Sequence, residues 1–214
     1  MLVGERMSHP IITVAPDTPI TTALNIMRQE NVRRTPVIKD GELIGIVSDK
    51  DLLNASPSPA TSLSIWEMNY LLSKITVGDV MSKDVLTITI DTPIEQAAHI
   101  MVDNKIGGLP VLKDGKVVGI ITETDLFKIF LEVMGGREFG IRVTALVTEK
   151  VGVLAELTKA VSDAGGNFFS FGQTAGENTT NREVTFKVGG LDLEQVRATV
   201  ESHVVRISDI RECC

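Results

Sequence analysis

Apolar positions along this chain switch between two periods. Short β-like runs, "IITV" (11–14) and "VLTITI" (85–90), precede stretches in which apolar residues recur at helical spacing. Ile20, Ala23, Leu24 and Met27 fall at i, i+3, i+4 and i+7, as do Ile94, Ala97, Ala98 and Met101. Each set predicts one buried helix face. Thr18-Pro19 and Thr92-Pro93 precede them, which predicts an N-cap followed by proline at the first helical position. "PVIKDGELIGIV" and "PVLKDGKVVGII" then place two apolar runs around Asp40-Gly41 and Asp114-Gly115, a two-residue hairpin signal. A helix follows in both, so the order strand, helix, strand, strand, helix occurs twice.

The recurrence is a duplication. Residues 3–52 align with 77–126 without a gap, and 21 of those 50 positions are identical. A unit of about 50 residues buries too little surface alone, so the copies are expected to pack as a pseudo-twofold pair. Such a pair leaves clefts suited to small ligands. Between the copies, residues 54–75 begin as a Ser/Pro/Ala loop and end as an amphipathic helix with Ile65, Met68, Leu71 and Leu72 on one face. Trp66 and Tyr70, at i and i+4, are expected to pack.

Beyond "MGGREFG" (134–140), whose glycines mark a hinge or boundary, the pattern changes. "IRVTALVT" (141–148) reads as a strand. "GVLAELTKAVSDA" (152–164) carries Leu154, Leu157, Ala160 and Val161 on one helical face, and Gly165-Gly166 stops it. "NFFSFGQTA" and "REVTFKV" are strands around a polar turn, "LDLEQVRATVESH" a helix and "VVRISDIRE" a last strand. The order βαββαβ predicts a ferredoxin-like unit. The fold class is therefore α/β (α+β).

Charge narrows the function. With 21 basic and 28 acidic residues the formal charge is −7, against a nucleic-acid surface. No run approaches 18 apolar residues and no signal-like apolar segment opens the chain, so no membrane span is expected and a cytoplasmic location is. The two cysteines, Cys213 and Cys214, are adjacent, which excludes a disulfide framework; a frayed tail is the expectation for them. His9, His99 and His203 lack metal-ligand spacing. Phosphate-loop, dinucleotide and nucleophile-elbow glycine motifs are absent. These residues point away from catalysis.

The repeat resembles the CBS motif, a regulatory module that occurs in tandem pairs. The features that carry the likeness are the Met-Ser opening, the apolar-Pro-Val strand, the Asp-Gly hairpin and the ending Gly-x-x-Ser/Thr-x-x-Asp. That ending stands as Gly45 to Asp51 and Gly119 to Asp125. The resemblance implies an adenine nucleotide (AMP, ADP or ATP) in the clefts, with S-adenosylmethionine or NADH as further candidates. It assigns the ribose hydroxyls to Asp51 and Asp125, and phosphate or ribose to Ser48 and Thr122 at helix N-termini. Ile12, Thr13, Leu86 and Thr87, with Thr35, Pro36, Leu109 and Pro110, would wall the base. The first copy adds Arg33, Arg34 and Lys50, which favours a di- or triphosphate; the second has Gly107 and Gly108, which leave room for close backbone approach.

The C-terminal region resembles an ACT domain, usually a dimerising amino-acid sensor. Its implied ligand site is the loop Gly152-Val153-Leu154 with Asn167, and an empty dimerising domain is the open alternative. A tandem CBS pair followed by an ACT domain is the arrangement of the acetoin-utilisation protein AcuB family, and the connector is similar too. The expected organisation is CBS motif 1 over 1–54, connector over 55–76, CBS motif 2 over 77–134 and an ACT-like domain over 135–214. The expected function is a homodimeric ligand sensor regulating a metabolic enzyme in acetoin or acetate metabolism. Two rivals stand beside it: an assembly protein with empty clefts, and an enzyme using Cys213 or a cryptic pocket.

Overall fold

Asp40 and Gly41 have φ of 53° and 86°, and Asp114 and Gly115 have 51° and 76°. That is the left-handed pair a tight hairpin turn requires, and Asp and Gly enter it with little strain. Both hairpins therefore form where the sequence places them, in a computed structural model that describes residues 1–55, 70, 72 and 74–213. Strand β1 (Arg34–Lys39) pairs with β2 (Glu42–Ser48) in the first copy. In the second, β3 (Ile88–Thr89) joins the hairpin of β4 (Gly108–Lys113) and β5 (Lys116–Thr122). The hairpin registers repeat residue for residue, Val37 opposite Gly45 and Val111 opposite Gly119, each followed by a bulge. The helices described in full are α1 (Val3–Arg6), α2 (Ile20–Gln29), α3 (Asp49–Asn54), α4 (Val77–Val80), α5 (Ile94–Asn104) and α6 (Glu123–Val133).

Ile20, Ala23 and Met27 of α2 and Ile94, Ala97 and Met101 of α5 are buried, as their spacing predicts. Two expectations are corrected. The helices start one residue later, at Ile20 and Ile94, with Pro19 and Pro93 as N-caps and no side-chain cap from either threonine. Backbone from elsewhere meets the first helical N–H instead: Ile20 donates to the Ile75 carbonyl (3.1 Å) and Ile94 to the Met1 carbonyl (3.2 Å). The strands expected at 11–14 and 85–90 shrink to a single bridge, Val14 to Val37, and to the two residues of β3.

The cause is an exchange of segments between the copies. Residues 1–8 leave their own copy and complete the second: Val3 donates to Thr92 O (2.9 Å), Gly4 to Ile90 O (2.8 Å) and Ser8 to Ile120 O (2.8 Å). Residues 76–82 do the same to the first: Val77 donates to Thr18 O (2.9 Å), Gly78 to Pro16 O (2.8 Å) and Ser82 to Ile46 O (2.9 Å). Val3 and Val77 are completely buried in these acceptor copies. Thr76 donates through its backbone and its hydroxyl to Asp79, which caps α4 and holds that carboxyl below the usual aspartate range. A chain that bridges one copy at Ser8 and the other at Val14 is crossing over between them, and cannot hold a strand ladder there.

Of the connector residues expected to form an apolar face, Ile65, Trp66, Met68 and Leu71 lie outside the described residues. Tyr70 is 64% exposed with Lys74 Nζ 5.3 Å from its ring centre, and its expected packing with Trp66 lies outside the described residues.

The chain divides into two units, Met1–Leu126 and Phe127–Cys214. In the second, β6 (Gly140–Thr148), α7 (Val153–Asp163), β7 (Asn167–Ala175), β8 (Asn181–Gly189), α8 (Leu193–Glu201) and β9 (Arg206–Cys213) build an antiparallel sheet in the order β7-β8-β6-β9. That is the ferredoxin-like order. Val143, Ala145, Leu157, Val161, Phe186 and Val196 form its core, with Phe168 and Phe171 ring centres 5.4 and 5.8 Å from Phe186. The glycine stretch at 134–140 lies within this unit. Buried Lys187 ties it down, donating to the carbonyls of Gly135 and Glu138 at 2.8 Å each. Cys213 is also part of the sheet, opposite Gly140 on β6, and not a frayed end; Cys214 lies outside the described residues.

Candidate ligand-binding cleft

Ser48 ends β2 in an extended conformation and Asp51 follows in the first turn of α3, so their side chains meet. Asp51 Oδ2 accepts from Ser48 N (2.9 Å) and Oγ (2.6 Å), and Ser48 Oγ accepts from Asp51 N (3.2 Å). This reciprocal cap occupies one carboxylate oxygen. Among the described residues no hydrogen bond engages Oδ1, which leaves it for a ligand.

The cap lies on a cleft of about 570 Å³, a size suited to a nucleotide-scale ligand. Its walls come from both copies: Arg34, Ser48 and Asp51 from the first, and Ser82, Leu86 and Gly107 among others from the second. The bridge between Ile46 and Ser82 brings the two copies together at this wall.

Of the residues expected at a ligand site, Arg34, Ser48, Asp51, Leu86, Gly107 and Gly108 line this cleft. Thr35, Pro36, Leu109 and Pro110 are buried in their strands and do not line it. The Thr35 hydroxyl is taken by the Ile12 carbonyl, and Pro36 O accepts from Val14 N. Thr13 and Lys50 are exposed, Thr87 is half-buried, and Arg33 lies with Asp49 on a smaller hollow. The glycines do leave room, but a side chain of the protein takes it. A Cβ on Gly107 would strike the Arg34 guanidinium, and one on Gly108 would sit 3.4 Å from Arg34 Cδ.

Thr122 and Asp125 repeat the cap at 3.0 and 2.7 Å. Their surroundings differ, because Ser8 on the exchanged N-terminal segment donates to Asp125 Oδ1 (3.4 Å) and Asp125 is only 6% exposed. In the second unit, Gly152 caps α7 with φ 93° and is exposed, Val153 and Leu154 are half-buried, and Asn167 begins β7 exposed. No group of three or more metal-ligating side chains occurs among the described residues.

Sequence reasoning missed Ile46, Val47, Ser82, Asp84, Val85, Asn104, Lys105 and Ile106 on the cleft wall. Ile46 and Val47 belong to the repeat's recognised ending; the others lie on the segment that follows the exchange and around the end of α5.

A duplicated βαββα-type unit with exchanged N-terminal segments and a cleft formed across the copies defines a tandem two-motif module. The CBS domain family matches residues 3–58 and 77–132, more than half of the chain. The chain belongs to that family. It is similar to CBSX2 of Arabidopsis thaliana, solved in complex with AMP, at 34% identity and a TM-score of 0.51, over 62% of this chain and 97% of that one. The chain spans 64% of the full CBSX2 sequence. The CBS domain pair of protein MJ0100, solved with 5′-methylthioadenosine and S-adenosyl-L-methionine, is 29% identical with a TM-score of 0.52, over 64% of this chain and 98% of that one. A Vibrio cholerae protein assigned to acetoin utilization (AcuB) is 27% identical with a TM-score of 0.52, over 64% of this chain and 95% of that one.

Proposed function

We propose that this chain is a regulatory protein that senses an adenine nucleotide of the AMP, ADP or ATP class in the cleft at Ser48 and Asp51. The observation that carries the reading is the Asp51 carboxylate. One oxygen is fixed by its own helix cap, so the other is held still at the cleft wall as an acceptor for ribose hydroxyls. The AMP bound by CBSX2 supports this ligand class, and the 5′-methylthioadenosine and S-adenosyl-L-methionine bound by MJ0100 support adenosine compounds more broadly. Thr122 and Asp125 form the second site of the pair, reached when a ligand hydroxyl replaces that of Ser8.

The ferredoxin-like unit is read as an ACT-like dimerising domain, with Gly152, Val153, Leu154 and Asn167 as the position for an amino acid or small acid. The regulated partner is a metabolic enzyme, and the AcuB neighbour favours one of acetoin or acetate metabolism. Regulation rather than catalysis is the role of the whole.

Calorimetry of the full chain with AMP, ADP, ATP, S-adenosylmethionine and NADH tests the reading. At least one is expected to bind, and Asp51→Asn to weaken it about tenfold, the loss of one charge-assisted hydrogen bond. If none binds, the clefts are empty and the chain is an assembly protein.

A further inference from the structure

Two residues that are twins in the repeat share a strained backbone but not a side chain. Asn31 and Lys105 end equivalent helices with φ of 52° and 53°. Asparagine tolerates that left-handed conformation, whereas lysine gains nothing from it. The backbone geometry thus accounts for Asn31 and leaves Lys105 to be explained by what it faces. Lys105 lies on the wall of the 570 Å³ cleft, while Asn31 lines the separate hollow beside Arg33 and Asp49.

A second cation shares that wall. Arg34 reaches from the first copy across Gly107 and Gly108, so closely that a Cβ on Gly107 would collide with its guanidinium. The glycine makes the reach possible. Arg34 is half-buried, and among the described residues neither it nor Lys105 has a hydrogen bond or ion pair from its side chain. Carboxylates are near: Asp51 and Asp84 line the cleft, and a Glu123 oxygen would be 2.7 Å from that Cβ. None of them pairs with either cation. Two positive groups left unpaired on one wall, one of them partly desolvated, call for an anion from outside.

We propose that Lys105, acting with Arg34, is a specificity-determining residue that selects a phosphate-bearing adenosine ligand over uncharged adenosine or a sulfonium compound. The assignment rests on the nucleotide reading of this cleft. Asp51 holds the ribose, and the phosphate oxygens meet the guanidinium and the ammonium.

Lys105→Asn tests it, because it installs the twin's residue at the same φ and so does not threaten the fold. Calorimetry on the full chain, parent and variant, uses adenosine, AMP, ADP and S-adenosylmethionine. The variant is expected to bind ADP about tenfold more weakly, to keep the parent's affinity for adenosine, and to melt no lower. Arg34→Gln is expected to show the same loss. An ADP-to-adenosine affinity ratio unchanged in both variants overturns the assignment, as does a parent that prefers S-adenosylmethionine to ADP. A parent that binds none of the four overturns the nucleotide reading, and this assignment with it.

Discussion

At the scale of single residues, the repeated glycine of the motif serves packing. A Cβ on Gly45 would overlap the sulfur of Met81, and one on Gly119 that of Met7, each methionine arriving on an exchanged segment. Glycine and methionine recur together in the repeat because each makes room for the other across the copies. Gly45→Ala and Gly119→Ala are each expected to destabilise the first unit by about 1–3 kcal/mol through overpacking, read as a lower urea midpoint. Met81→Ala in the Gly45→Ala background should recover part of the loss, since it vacates the space the new methyl needs. The Ser48–Asp51 pair shows how one residue fills two roles. A capping box was legible in four letters of sequence. That its carboxylate keeps an oxygen for a ligand was not, because it depends on which lone pairs the local cap consumes.

At the scale of elements, helices α2 and α5 and both Asp-Gly hairpins were legible because their signals are local. Apolar spacing and left-handed turn residues act within a dozen positions. The second unit was legible for the same reason, with β7 observed over the nine residues expected, Asn167–Ala175. The exchange of segments was not legible. Its hydrogen bonds are backbone to backbone, as with Val3 to Thr92 and Val77 to Thr18, and both copies carry the same apolar pattern at these segments. Nothing in such a pattern says which copy a segment completes. The exchange predicts that damage at the N-terminus is felt in the second copy. Val3→Ala removes two methyl-sized groups from a fully buried site and should destabilise by about 2 kcal/mol. Hydrogen exchange should accelerate at Val3 and Gly4 and at the start of α5, where the Ile94 amide donates to Met1, before it does at Ile20 of the first copy's own helix.

At the scale of the whole molecule, the chain carries separate cores. One includes Val14, Met27, Val47 and Val77 in the first unit, and another Val143, Leu157 and Phe186 in the second. The cleft is lined by residues of the first unit, so a ligand there is expected to stabilise that unit most. A nucleotide at about a hundredfold its dissociation constant adds about 2.7 kcal/mol. In calorimetric melting, the transition of Met1–Leu126 should therefore rise more than that of Phe127–Cys214; movement of the second alone would contradict the site. By itself the sequence determined the duplication, the hairpins, the helix faces and the ferredoxin-like order, since each rests on periodicity or on turn residues close together in the chain. Only the tertiary structure decided that the opening segments change places, that Arg34 lies over glycines of the other copy, and that Lys105 faces the cleft while Asn31 does not. Those facts depend on residues about 70 positions apart meeting in space, and two copies with the same apolar pattern give a linear reading no means of saying which one a segment completes.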